Sequence, residues 1–291
     1  MVSYQQINDF VTIAQSSVLK VNAVLIECNE YLCLIDTLLL PSDSKSLKQY
    51  INTKAKPLKY LINTHFHSDH SIGNKYLADD NTVIIAHQKY LQTYLDEREK
   101  ISSVYKSSNK KSSIYKTNYH EIMHPNVCMK DQLIIDDELR FKLLETPGHT
   151  YDSICIYIKD LKLLIAGDTL LGSPNGYMSL PYFLWGNETE YINSLDLLSK
   201  LDIETIITGH SDCAKKELID DYLQYLNGLV FLKDKLLTKR DKFSIEELSN
   251  ELRLDACYAL DKDKKLWKPE IHQFNVEKIY HSYFADKIHN N

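Results

Sequence analysis

The chain has 291 residues, 44% hydrophobic and 25% charged, an ordinary composition for a soluble globular protein with ample length for a core. Its formal net charge of -6 lacks the basic excess of a nucleic-acid binder. No apolar run approaches the roughly 18 residues of a membrane span, and the start "MVSYQQINDFVTIAQSS" does not read as a signal peptide. The six cysteines (Cys28, Cys33, Cys128, Cys155, Cys213 and Cys257) form no C-x-x-C pair, which fits reduced, buried thiols in a cytoplasmic protein.

In chain order, "VNAVLIEC" and "YLCLIDTLL" are β-rich runs that predict a hairpin. "SDSKSLKQYINTKA" predicts a helix, with Ser42 or Ser44 near its cap. "LKYLINT" predicts a strand and is followed by "HFHSDH". "NTVIIAH" predicts another strand, and "QKYLQTYLDEREKI" a helix with Tyr90, Leu91, Tyr94 and Leu95 on one side. From about 102 to 125 the chain is rich in Ser, Lys and Tyr, as expected of a long loop or lid. Strands return at "QLIID", "RFKLLET", "SICIYIK" and "LKLLIAG", the last two forming a hairpin at Lys159-Asp160. "NETEYINSLDLLSKL" predicts a helix, "IETIITG" a strand, and "AKKELIDDYLQYLNGLVFLKDKLL" a long amphipathic helix faced by Leu218, Tyr222, Tyr225, Leu226, Leu229 and Leu236. The tail carries a capping-box start, Ser244 with Glu247, and further helix with aromatic anchors.

His65 to His70 place three histidines and an aspartate in six residues. Histidines at i and i+2 after a strand point to one side, so His65 and His67 can share a metal. Asp69 and His70 come where the chain turns into a helix, and carboxylate and imidazole both ligate zinc. Three later runs repeat one pattern, an apolar stretch, a Gly and then a ligand-type residue: "ETPGHT" with His149, "LLIAGDT" with Asp168, and "IITGHS" with His210. The Gly permits a tight turn that exposes the next side chain at a strand end.

H-x-H-x-D-H followed in order by PGHT, GDT and TGH resembles the metallo-β-lactamase-fold hydrolases over roughly residues 20 to 235. The resemblance implies an α/β fold, a four-layer αββα sandwich with its site at one edge of the sheets. The expected domains are 1–240, a hydrolase domain with a lid-like insertion at about 102–125, and 241–291, a small helical C-terminal appendage. His65, His67 and His149 would hold one metal, Asp69, His70 and His210 a second, and Asp168 would bridge them. Two zinc ions are expected, with iron or manganese as alternatives, and a bridging hydroxide as nucleophile. Asp69 would be the catalytic residue that orients it or moves protons.

The true lactamases typically place Cys or Ser where this chain has Asp168, so the resemblance is to the glyoxalase II-like and general hydrolase branch. "LLGSPNGYMSLPYFLWGNE" lacks the Gly-rich, Arg-Phe stretch of glyoxalase II enzymes, and Leu171 stands where quorum-signal lactonases have Tyr. Tyr177, Tyr182, Phe183 and Trp185 either line a substrate pocket or fill the core, with Tyr177, Tyr182 and Trp185 as the candidate substrate contacts. His87, His120, His124, His272, His281 and His289 read as ordinary histidines.

The leading expectation is cleavage of an ester, thioester, lactone or amide-like bond in a small molecule, without membrane or nucleic-acid partners and with a homodimer open. The alternatives are a phosphodiesterase or nuclease on the same dimetal centre, an iron-dependent persulfide dioxygenase, and a catalytically silent binding protein.

Overall fold

A computed structural model describes residues 1–96, 123–136, 139–174, 177–183, 185–239, 243–258 and 265–284. The expected lid at 102–125 falls outside these apart from its last three residues.

The first sheet has seven strands in chain order: β1 (Val2–Gln6), β2 (Val11–Ser16), β3 (Asn22–Glu27), β4 (Leu32–Ile35), β5 (Leu58–Ile62), β6 (Val83–His87) and β7 (Val127–Met129). β1 to β4 are antiparallel neighbours, and β4 to β7 run parallel. Between β4 and β5 lies α1 (Pro41–Asn52). After β5 come two single turns, α2 (Ser68–Ser71) and α3 (Asn74–Leu77), and residues 90–96 form α4.

The second sheet takes β8 (Gln132–Asp136), β9 (Arg140–Glu145), β10 (Ile154–Ile158), β11 (Leu163–Gly167) and β13 (Thr205–Thr208), in the order β13-β11-β10-β9-β8. β12 (Tyr177–Met178) lies outside it. α5 (Glu188–Ser199) precedes β13. After it come α6 (Glu217–Leu237), α7 (Ile245–Glu251), α8 (Leu254–Cys257), β14 (Lys265–Leu266) and α9 (Glu270–Ile279).

Period-two alternation explains the layering. Val24 and Ile26 of β3 pack in one cluster with Leu143, Ile156 and Ile165 of the second sheet, so this is the core between the sheets. Ala23 and Leu25 point the other way, onto Leu47 and Ile51 of α1. On the second sheet's outer face, Leu144, Tyr157 and Leu164 meet Tyr191 and Leu195 of α5 and Tyr222 and Leu226 of α6. Helix, sheet, sheet and helix thus stack as four layers, the αββα arrangement expected. Strands buried on both faces read as continuous apolar runs, as "LCLI" and "LLIAG" do.

Several local expectations are corrected. α1 begins at Pro41, a favoured first-turn residue, so Ser42 and Ser44 lie inside the helix and do not cap it. Leu91 and Leu95 are exposed while Tyr90 and Tyr94 are buried, because residues one apart diverge by about 100° around a helix. Ile219, not Leu218, anchors the start of the α6 face. Cys128 and Cys213 are exposed, unlike the other four thiols, and all six are free. β1, β2, β7 and β14 carry no strong sequence signal: β1 is an edge strand whose side chains are almost all exposed.

The tail continues the main core. Leu248, Leu252, Ile271, Val276 and Ile279 belong to the same cluster as Tyr191 and Tyr222. α7 starts with the predicted capping box, Ser244 with Glu247. No helix among the described residues is long and apolar enough to cross a membrane.

Candidate metal centre

Four strand ends meet at one edge of the sandwich, and backbone hydrogen bonds lock the two sheets together there. Ile154 N–H donates to Thr64 O (2.9 Å) and Asn22 N–H to Gly209 O (2.8 Å). β5 leads into Thr64 and His65. His67 then sits just before α2, and the bend through residues 64–66 brings both imidazoles to the same place, with His65 Nε2 2.8 Å from His67 Nδ1. Asp69 and His70 follow on the first turn of α2. His149 comes from the loop after β9, Asp168 from the end of β11, and His210 from the end of β13.

The Gly-ligand pattern has a structural cause at all three of these points, and at Gly148, with φ +154, a Cβ would run into Tyr191. Gly167 has φ +49, a left-handed conformation that a side chain rarely adopts, and a Cβ there would run into Thr64. At Gly209 a Cβ would overlap the Asp168 carboxylate. Ala at Gly167 would push β11 away from Thr64 beside His65, and Ala at Gly209 would displace the Asp168 carboxylate.

The donor atoms form two groups, His65, His67, His149 and Asp168 in one, Asp69, His70 and His210 in the other, each within 4.8 Å. Asp168 lies between them. Its Oδ2 is 3.6 Å from His149 Nε2, 3.9 Å from His65 Nε2 and 3.3 Å from His210 Nε2, while Oδ1 is 3.3 Å from His70 Nε2. Asp69 Oδ2 is 3.3 Å from His210 Nε2 and 3.6 Å from His70 Nε2.

Four of the five imidazoles are oriented by a partner on the nitrogen that faces away from the centre. His149 Nδ1–H donates to Tyr182 O (2.7 Å) and His210 Nδ1–H to Leu19 O (2.9 Å). His70 Nδ1 lies 2.8 Å from Asp36 Oδ2, and His65 Nδ1 3.1 Å from Thr64 Oγ1. Each contact fixes a ring so that its other nitrogen aims inward, the arrangement proteins use to set up metal-binding histidines.

The inward atoms are poorly satisfied by the protein alone. His70 Nε2 and Asp168 Oδ1 are buried without a hydrogen-bond partner in good geometry. Buried polar atoms are nearly always paired, so orphans in such a cluster mark the place of a guest. His67 Nε2, on the outer side of its ring, is also unpaired, and the Trp185 ring packs edge-on against the His67 ring with centroids 4.5 Å apart. Two nitrogens 2.8 Å apart, three carboxylate-facing imidazoles and a shared carboxylate are a donor set for divalent cations.

Electrostatics divides the groups. Burial holds His65 well below its ordinary value, pushes His67 down to about 3 and lowers His149, so these rings are neutral with lone pairs available. Burial works the same way on His70 and His210. There the carboxylates outweigh it: Asp168, Asp69 and Asp36 hold His70 well above its ordinary value, and Asp168 and Asp69 push His210 up to about 10. Asp168 is held well below the usual carboxylate range, because the charges of His210 and His70 overcome its burial. In the protein alone, protons on His70 and His210 supply the positive charge that a cation would replace.

All seven predicted ligand-type residues are therefore at one place. Among the predicted substrate contacts, Tyr182 and Trp185 pack near it: the Tyr182 ring is 5.9 Å from that of His149, and Trp185 meets His67 edge-on. Tyr177 stands apart, pairing with Lys265 through β12 and β14, and no described contact joins it to the cluster. Phe183 is a core residue, fully buried.

Asp36 was not singled out from the sequence. It follows β4 directly with φ 63, accepts from Thr64 N–H (2.8 Å) and Thr64 Oγ1–H (2.8 Å), and faces His70. Asp is among the few residues that tolerate that backbone region. The signal was present: "LCLIDT" is an apolar strand ending in Asp-Thr, like "LLIAGDT".

A four-layer sandwich with a His/Asp cluster at the edge of its sheets defines the class of metal-centred αββα proteins. The family model of the metallo-beta-lactamase superfamily matches residues 17–210, and the chain belongs to that superfamily. It is 29% identical over 180 residues to a hydroxyacylglutathione hydrolase of Pelagibacter ubique, covering 61% of this chain and 60% of that one. It is 22% identical over 218 residues to a beta-lactamase-like protein 2 homolog of Caenorhabditis elegans, covering 74% of this chain and 64% of that one. The matches thus span a little under two thirds of these relatives' length. Among solved structures, a double mutant of the sec-alkyl sulfatase PisA1 superposes with TM-score 0.74 at 15% identity, over 97% of this chain and 50% of that one. A metallo-beta-lactamase from Pontibacter korlensis gives 0.61 at 16% identity, over 78% and 99%. At these identities the structures share the fold.

Proposed function

We propose that the chain is a metal-dependent hydrolase that holds two divalent ions, zinc in the first instance, and cleaves an ester, thioester, lactone or amide-like bond in a small molecule. The observation that carries this reading is the convergence of seven donor side chains around orphaned, inward-facing atoms of His70 and Asp168. His65, His67 and His149 would hold one ion, Asp69, His70 and His210 the other, with Asp168 between them. When bound, such a pair supplies a water of lowered pKa and a Lewis acid for the scissile carbonyl oxygen.

The chain's own groups do the rest. Asp69 is half-buried at the mouth of the cluster, where its carboxylate is placed to hold or move a proton beside the reacting atoms. Asp36, Leu19 O and Tyr182 O keep three imidazoles from turning. Trp185 and Tyr182 make an aromatic wall beside His67 and His149 that excludes water from one side and receives an apolar part of the substrate. The named activity of the Pelagibacter relative, hydroxyacylglutathione hydrolysis, supports the thioester as one member of the substrate set.

The test is metal analysis of the purified chain, followed by turnover against ester, thioester, lactone, lactam and phosphodiester substrates. About two zinc per chain with carboxyl-bond turnover is the expected result. About one iron per chain, or turnover of the phosphodiester alone, overturns it.

A further inference from the structure

α9 lies in the tail, far along the chain from every ligand-type residue, yet it grips the loop that orients one of them. Asn275 is fully buried on this helix. Its Nδ2 donates to Pro181 O (2.7 Å) and to Tyr225 OH (3.1 Å), and its Oδ1 accepts from Phe183 N–H (3.4 Å). One side chain thus holds the backbone on both sides of Tyr182. The carbonyl of Tyr182 accepts the Nδ1–H of His149. Phe274, next to Asn275, packs its ring 5.9 Å from that of Tyr182. The start of the loop is held by the tail as well: β12 pairs with β14, and Trp267 N–H donates to Met178 O (2.9 Å).

We propose that Asn275 is a positioning residue for the metal centre. It fixes Pro181 to Phe183 so that the Tyr182 carbonyl holds the proton on His149 Nδ1 and leaves Nε2 aimed into the cluster. The inference rests on the metal-centred reading above. A backbone carbonyl can do this only if its own peptide planes are fixed, and a loop of "SLPYF" has no ladder of its own to fix them. Asn has the right chemistry, because its amide donates to one peptide and accepts from another at a single position. Tyr225 braces the amide from α6, and His272 Nδ1 braces the Tyr225 hydroxyl at 3.0 Å. The tail therefore acts on His149 through the loop, without touching the centre itself.

The alternative is that Asn275 only satisfies buried peptides and stabilises the fold. Metal affinity separates the two. Zinc is titrated into the full chain against a competing chelator, and cobalt-substituted protein is followed by its visible spectrum. Asn275→Ala should weaken one of the two metal equivalents by about 10-fold, the lower end of the effect of removing support from a ligand. It should change the cobalt band of that equivalent and leave the other near wild type. Tyr283→Phe is the control: it loosens the tail at Glu188, where Tyr283 OH donates at 2.8 Å, away from the loop. It should lower the melting temperature without moving either metal affinity. If Asn275→Ala does not fold, Tyr225→Phe removes only the brace and should weaken the same equivalent by a smaller factor.

Unchanged affinity and cobalt spectrum in the Asn275 variant, or in Tyr225→Phe where that stands in, overturns the inference. So does an equal loss of affinity in Tyr283→Phe. A wild-type chain that takes up no metal sinks the hydrolase reading and this inference together. A metal-binding wild type with an unaffected variant sinks this inference alone.

Discussion

Lys233 and Glu188 are buried together, 2.7 Å apart, under the tail, and neither leaves a buried polar atom without a partner. Tyr283 OH donates to the same Glu188 oxygen, and the Tyr283 ring lies 4.2 Å from the ammonium. The His/Asp cluster at the sheet edge is just as buried, but two of its inward atoms, His70 Nε2 and Asp168 Oδ1, are left without partners. Both arrangements put charge where water cannot reach, which is costly unless compensated. One is complete with protein groups alone and joins α5, α6 and the tail. The other, on the proposed reading, is completed by a cation. The difference between a satisfied and an orphaned charge cluster is what separates a structural pin from a site.

The strongest way to break this contrast is Asp168→Ala. It should bring turnover to background and deplete bound metal while the circular dichroism of the fold is kept; full metal content and rate in the variant would refute the bridging role. Removing metal with a chelator comes next. At a metal concentration a thousandfold above its dissociation constant, bound metal adds about 4 kcal/mol to stability. Chelation should therefore lower the melting temperature and metal return should restore it, whereas an unmoved melting curve would mean that the orphaned atoms hold nothing.

The pin responds differently. Lys233→Ala leaves the buried Glu188 carboxylate without its charge partner, and should cost about 3 kcal/mol in denaturant unfolding with metal affinity unchanged. Its pH dependence follows from the shifts. Burial tends to raise the Glu188 value, but Lys233, the helix backbone and Tyr283 lower it below the ordinary 4.5. The unfolded chain then binds the proton more tightly. This contribution is present above about 4.5 and is lost as pH falls through the folded value. Lys233 is raised above its ordinary 10.5: burial opposes its charge, but Glu188 outweighs that. Its contribution is present below that value and is lost only as pH rises through the folded one. The pin thus holds across neutral pH and fails first in acid. Glu188→Gln should flatten the acid limb of the stability curve, and an unchanged limb would argue against the pair. The smallest expected effect is at Asp36. Asp36→Asn keeps the side-chain shape and the tolerance for φ 63 but removes the charge facing His70. Metal affinity should fall by about 10-fold in a chelator competition.

The same contrast shows what was legible in the chain. His65 to His70, His149, Asp168 and His210 announce themselves because each lies within a few residues of a strand end and three follow a Gly that the turn requires. Asp36 follows its strand without a Gly and acts on His70 rather than on a metal, so only its likeness to the Asp168 run marks it. Asn275 is invisible at short range: its partners at Pro181 and Phe183 are more than ninety residues away. The Glu188, Lys233 and Tyr283 contact is likewise made by three distant elements. Helix phase was legible only to within a residue, as at Leu91 and Leu95, since patterns on a helix surface do not say where the core lies. β1 was missed because an edge strand buries little and so carries no apolar alternation. The four-layer stack was legible because strands buried on both faces leave continuous apolar runs.

Each of the two donor groups draws on both sheets. His65 and His67 follow β5 of the first and meet His149 from the second, and Asp69 and His70 meet His210 in the same way. Neither half of the chain can build a complete pocket by itself. During folding, tight capture of a cation must therefore wait until the two sheets have docked and the Thr64 to Ile154 and Asn22 to Gly209 backbone bonds have closed. On the proposed reading, metal uptake then becomes a clock for the last step of assembly: a halted intermediate whose two sheets have formed but not docked should carry normal secondary structure and no tightly held ion.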